Sequence, residues 1–222
     1  MKKTAANLRL LTMLFGVGFI LSNIIGGKAI ATSVWLFGGQ VTLPGGIFCY
    51  AVTFLVMDVI GELWGKIEQR QTMVFGMICQ LVALTLILIT KQLPTVDPDM
   101  KGAYDTLLGI NIWFVTGSLA AFALSQWLNI NLFHKIRGKI LKEGKSSKAR
   151  GIWNNGSTMI AQLVDTTVFV MIAFGVGLGW LASDAMRPTL FVMIATKYLF
   201  NFVLAAVDTP FFYLLTRDKA TP

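Results

Sequence analysis

Apolar residues in this chain come in blocks of about twenty, separated by short polar clusters. Six blocks stand out, at about 8–31, 45–66, 71–90, 110–134, 155–182 and 188–215. Each can cross a hydrocarbon core of ~30 Å as a helix rising 1.5 Å per residue. The pattern predicts an all-α polytopic membrane protein with six transmembrane helices. The connections are short, so residues 1–222 read as a single transmembrane domain. The 91–109 connection (KQLPTVDPDMKGAYDTLLG) reads as an external loop, and GKSSK at 144–148 as a flexible internal one. Its Gly-Lys-Ser lacks the upstream glycine and preceding strand of a phosphate-binding loop.

Composition agrees. Apolar residues make up 55% of the chain and charged residues 14%, against about 25% charged in soluble domains. The net charge of +8 is a matter of topology. With the amino terminus inside, the internal segments hold Lys2, Lys3, Arg9, Lys66, Arg70, Arg217, Lys219 and every basic residue of KIRGKILKEGKSSKAR (135–150). The external loops hold only Lys91, Lys101 and Arg187. This positive-inside asymmetry puts both termini in the cytoplasm, and it makes the lipid bilayer, rather than nucleic acid, the partner of the basic residues. Lys2 and Lys3 precede an apolar run too long for a signal-peptide core, with five more spans behind it. Cys49 and Cys79 fall inside spans and read as buried apolar residues. His134, the only histidine, reads as the polar end of a span.

The chemistry lies in polar residues inside the apolar blocks, which normally face a bundle interior or a watery cavity. In the second span Asp58 and Glu62 are one turn apart, with Lys66 a turn further as a possible ion-pair partner for Glu62. In the fifth, Asn155, Thr158, Gln162 and Asp165 fall at i, i+3, i+7 and i+10, one stripe of a helix. Lys197, Asn201 and Asp208 share a face of the sixth, shortly before Pro210. Gln126 and Asn129 share a face of the fourth. Ser22 and Asn23 lie in the first, followed by Gly26, Gly27 and Lys28. Hydroxyl and amide groups in spans also serve as packing contacts between helices, and Lys28 can reach the interface by its long stem. Buried acids on three different helices (Asp58, Asp165, Asp208) are harder to explain by packing.

Four intramembrane acids against Lys28 and Lys197 disfavour an anionic cargo. They suit a cation, a proton relay or a neutral molecule with several N–H donors. The amides Asn23, Gln126, Asn129, Asn155, Gln162 and Asn201 both donate and accept, which suits a planar heterocycle. A guanine-like edge is read well by a carboxylate plus a donor. Trp64, Trp127 and Tyr198 can stack on such a plane or stand as interfacial belt residues. The sequence shows no nucleotide-binding loop, no zinc ligand set and no Ser/His/Asp arrangement, so neither an enzyme nor a cofactor or metal site is expected.

SNIIGGK (22–28), TFLVMDVIGELWGK (53–66), SQWLNINLFHKIR (125–137) and NNGSTMIAQLVDTTVFVMIAF (154–174) resemble the queuosine precursor transporter family, formerly the vitamin uptake transporters. The resemblance implies a multi-pass protein of the bacterial inner membrane that imports 7-cyano-7-deazaguanine, 7-aminomethyl-7-deazaguanine or queuine for tRNA modification. It implies substrate contacts at Asn23, Asp58, Gln126 and Asp165, and also at Glu62, Asn155 and Gln162. Two positions depart from the family pattern: Asn129 stands where an aspartate is expected, and Asn201 near an expected lysine. Asn129, Lys197, Asn201 and Asp208 complete the candidate substrate-binding set. The alternative reading is a substrate-binding membrane subunit of an ATP-driven vitamin-type importer, which has similar length and helix count. A homodimer is a candidate assembly in either case.

Overall fold

A computed structural model describes residues 1–25, 29–36, 39–108, 112–142 and 150–217. Each of the six apolar blocks holds a long helix: α1 (Ala5–Ile25), α2 (Ile47–Leu63), α3 (Lys66–Gln92), α5 (Ile112–Lys142), α6 (Arg150–Val170) and α7 (Arg187–Leu215). A π-helical turn, Met171–Val176, extends α6. Four of these, α1, α3, extended α6 and α7, are long and apolar enough to cross a membrane. The 17 residues of α2 reach about 25 Å, and α5 carries polar side chains along its middle and a basic tail. The chain is a helical multi-pass membrane protein.

Three boundaries differ from the sequence reading. The first helix ends at Ile25 rather than near 31, and a two-stranded antiparallel hairpin follows, β1 (Ala29–Leu36) and β2 (Gly39–Pro44). Ile30, Thr32, Val34, Val41 and Thr42 supply the β-branched residues that favour strands over helix. Second, the 91–109 connection is not simply a loop, because it contains α4 (Pro98–Leu108). Asp97 Oδ1 accepts from the Asp99 and Met100 backbone N–H groups at 2.9 and 3.4 Å, and Pro98 stands in the first turn, a start signal legible in DPDM. Third, α5 runs eight residues past 134, so the basic segment begins as helix. Lys28 and the GKSSK stretch lie outside the described residues.

The helices alternate in direction. Going down α5 and up α6, side-chain pairs step from one end of the bundle to the other, and α2 and α7 follow α5. At one end the Met1 ammonium donates to the Leu215 carbonyl at 2.6 Å, so the two chain ends meet there. Buried Arg150 donates to the Thr216 carbonyl and hydroxyl at 2.7 and 2.8 Å, and its guanidinium lies over the Tyr213 ring. Two cations thereby meet the carbonyl end of α7, where the helix dipole is negative.

A hydrophobic cluster draws on α1 (Leu11, Phe15, Phe19), α2 (Met57, Ile60), α5 (Phe122, Phe133), α6 (Trp153) and α7 (Phe212). Phe19 stacks on Phe122 with ring centroids 3.9 Å apart. Gly76 of α3 faces Phe15 so closely that a Cβ would collide with the ring. The joint between α2 and α3 turns at Gly65, whose φ of 97° lies in the left-handed region that glycine adopts without strain. Cys79, expected inside, is exposed on α3, and Cys49 is half-buried. In a bilayer that α3 face meets lipid, where a thiol is as acceptable as in a core.

Candidate functional site

Polar side chains of α2, α5 and α6 meet in three tiers between the helices. In the tier farthest from the chain ends, Asp165 Oδ1 accepts from Ser125 at 3.2 Å and from Tyr50 at 3.3 Å. Its Oδ2 lies 4.0 Å from Lys197 Nζ, which also stands 4.5 Å from the centroid of the Phe169 ring. In the middle tier, Asp58 accepts from Asn129 at 3.1 Å and from Thr158 at 2.9 Å. In the tier nearest the chain ends, Glu62 Oε2 accepts from the Trp153 indole at 3.2 Å and pairs with Arg137 Nε at 3.3 Å. That pair is a charge contact without the alignment of a hydrogen bond. Glu62, read from sequence as a partner for Lys66, is thus engaged by α5 and α6.

The tiers follow from helical spacing. Asp58 and Glu62 are one turn apart on α2, as are Ser125 and Asn129 on α5. Thr158 and Asp165 are two turns apart on α6, about 10 Å along the axis. All three acids are almost completely buried, at 2–3% exposure. Asp165 has a lysine and Glu62 an arginine. Asp58 has two neutral donors and, among the described residues, no cation. Asp208 of α7, another carboxylate, lies within electrostatic reach of it.

Between the two aspartate tiers lie amides with unused bonding capacity. Gln126 is fully buried, yet neither its Oε1 nor its Nε2 has a partner among the described residues. The same holds for Gln162 Oε1 and for Asn129 Oδ1 in the Asp58 tier, and for Asn154 Oδ1, which lies one turn nearer the Glu62 tier. A buried polar atom left unpaired costs about 1–3 kcal/mol, and folded proteins contain few. Several occur in one region, beside a carboxylate whose described hydrogen-bond donors are both neutral.

Other expected residues sit elsewhere. Asn155 joins α6 to α7, its Oδ1 2.9 Å from the Thr209 hydroxyl. Asn201 donates to Thr166 at 3.4 Å. Asn23 ties three helices: its Nδ2 donates to Gln80 of α3 at 3.2 Å and its Oδ1 accepts from Ser118 of α5 at 2.9 Å. Ser118 is seven residues from Ser125, about 10 Å further from the chain ends, so Asn23 stands apart from Asp58. His134 bonds buried Gln69 at 2.9 Å, and Gln69 donates to the Met57 carbonyl at 3.0 Å. Sequence reasoning missed Tyr50, Ser125, Arg137 and Trp153 as partners of the acids. Tyr50 lies eight residues before Asp58, a spacing that could have placed it on the same face. Arg137 lies past 134, the end expected for the fourth span, in the internal basic segment, which hid it.

Comparison with known proteins places the chain in a family. The family described as "Putative vitamin uptake transporter" matches residues 44–215, which takes in all three tiers. The chain belongs to that family. A relative from Bacillus subtilis (strain 168), a "Probable queuosine precursor transporter", is 30% identical over 199 residues, 89% of this chain and 80% of the relative. No solved structure matches. The chain is accordingly a membrane transporter, and its buried tiers lie within the matched region.

Proposed function

We propose that this transporter imports 7-deazaguanine precursors of queuosine across the bacterial inner membrane, with residues 1–222 acting as one six-span unit whose termini both face the cytoplasm. The observation that carries the reading is Asp58, a buried carboxylate with two neutral hydrogen bonds and no cation among the described residues, in a relative of a probable queuosine precursor transporter. Such an acid is costly in a membrane. A guanine-like edge, with adjacent N–H donors, offsets that cost by donating to it. A cationic aminomethyl group would do so through charge.

The free amide atoms give the rest of the contact surface. Gln126 presents both a donor and an acceptor, and Gln162 an acceptor, at heights between Asp58 and Asp165. Two carboxylates about 10 Å apart along the bundle then bracket a planar bicyclic base, while Lys197 keeps Asp165 neutralised. The Glu62–Arg137 pair with Trp153 closes the column on the side of the chain ends. The basic residues gathered near that side support its cytoplasmic assignment.

The test is rescue of queuosine in tRNA, in a bacterium that neither makes nor imports the precursor. Expressing this chain alone and supplying each deazaguanine at nanomolar concentration should restore the modification with at least one. Absence of rescue by every precursor, with the protein present in the membrane, would reject the cargo or require an energising partner.

A further inference from the structure

Two groups stand out among the cations in the described parts of this chain. Lys91, Arg137, Arg187 and Lys197 each face an acid. Arg70, Lys135, Lys139 and Lys142 are exposed, and among the described residues none has an acidic partner. Those four share one surface. Asn131, Lys135, Lys139 and Lys142 fall at i, i+4, i+8 and i+11 of α5, a single stripe. Arg70 arrives from α3 and is held on that stripe by donating to Asn131 Oδ1 at 3.2 Å. Ile140, between the lysines in sequence, is buried against the bundle, so the lysines point outward.

The apolar end of the stripe is marked as well. Trp127, one turn before Asn131, is 54% exposed, and its carbonyl accepts from Asn131 Nδ2 at 2.8 Å. An exposed indole beside the hydrocarbon, followed by cations on the water side, is the order in which a phospholipid presents its acyl carbonyls and then its phosphate. The nearest acid on α3, Glu68, is two residues from Arg70 and so on the opposite side of that helix.

We propose that this stripe is a binding site for an anionic phospholipid, with Arg70, Asn131 and Lys135 holding the headgroup phosphate. Trp127 packs on the upper acyl chain, and Lys139 and Lys142 extend the field toward water. The site joins α3 to α5 across the outside of the bundle, so an occupied site braces the two helices that carry Gln69 and His134. It is independent of the cargo.

Native mass spectrometry of the purified full-length protein, titrated with phosphatidylglycerol or phosphatidylcholine, tests this. Phosphatidylglycerol should be retained preferentially. Each of Arg70→Gln, Lys135→Gln and Lys139→Gln should weaken it about fivefold, while Lys101→Gln in α4 leaves it unchanged. Thermal unfolding of each variant in lipid-free detergent should match the parent, which separates lost binding from lost folding. Equal retention of the two lipids, or a triple variant that holds phosphatidylglycerol as tightly as the parent, would overturn the proposal. Displacement of the lipid by millimolar glycerol phosphate would overturn it too, since that would make this a site for free anions.

Discussion

Asp58 and Gln126 stand out among the buried polar side chains of the bundle. Among the described residues, Asp58 has neutral donors only, and both amide atoms of Gln126 are buried without a partner. Replacing Gln126 by leucine removes two unpaired polar atoms from the interior. Gln126→Leu should therefore keep or raise thermal stability by up to about 1–3 kcal/mol while lowering uptake at least tenfold, read by unfolding and transport on the same preparation. A fall in stability with normal uptake would make Gln126 a packing residue. Asn23 gives the opposite expectation, because its amide is already bonded to Gln80 and Ser118. Asn23→Ala should cost about 1 kcal/mol, the size of an interhelical hydrogen bond in membranes, with cargo affinity largely retained. Of the residues singled out from sequence, the acids were legible because a charge in a twenty-residue apolar block has few explanations. Their partners were not. Ser, Thr, Tyr and Asn are ordinary in spans, and only the packing of α2, α5 and α6 reveals which of them point at a carboxylate.

At the scale of helices, the end tier behaves as a unit. Removing Arg137 leaves Glu62 buried with less compensation, so Arg137→Gln should destabilise the protein by about 3 kcal/mol, and adding Glu62→Gln should recover much of that. A double-mutant cycle in detergent checks it; additive losses would mean the two charges do not interact. Gly61 makes a second element-level prediction. A Cβ there would sit 2.6 Å from the Gln69 amide oxygen, so Gly61→Ala must push Gln69 off α2 and break its bond to Met57. A loss of about 1–3 kcal/mol follows, with His134 left as the partner of a displaced amide. The six long helices were legible from the apolar blocks, whereas α4 and the helix ends were not. Hydropathy cannot distinguish an apolar strand from an apolar helix, so the start of β1, residues 29–31, falls within the first apolar block. It also cannot see that α5 continues as a charged helix beyond the lipid.

For the whole molecule, alternating helices bring the chain ends together at Leu215 and Met1 and array the three acid tiers along one interior column. Among the described residues, most of the column's free hydrogen-bonding capacity lies from Asp58 to Asp165, with Asn154 Oδ1 one turn nearer the Glu62 tier. Our central claim is that this middle section reads the polar edge of a deazaguanine through Asp58. The most direct measurement is equilibrium binding of 7-cyano-7-deazaguanine and its aminomethyl relative to the purified protein and to Asp58→Asn. The parent should bind at least one of the two ligands. Asp58→Asn, folded and inserted, should bind about ten- to a hundredfold more weakly, the worth of a hydrogen bond to a charged group. An Asp58→Asn variant that binds either ligand as tightly as the parent would contradict the claim.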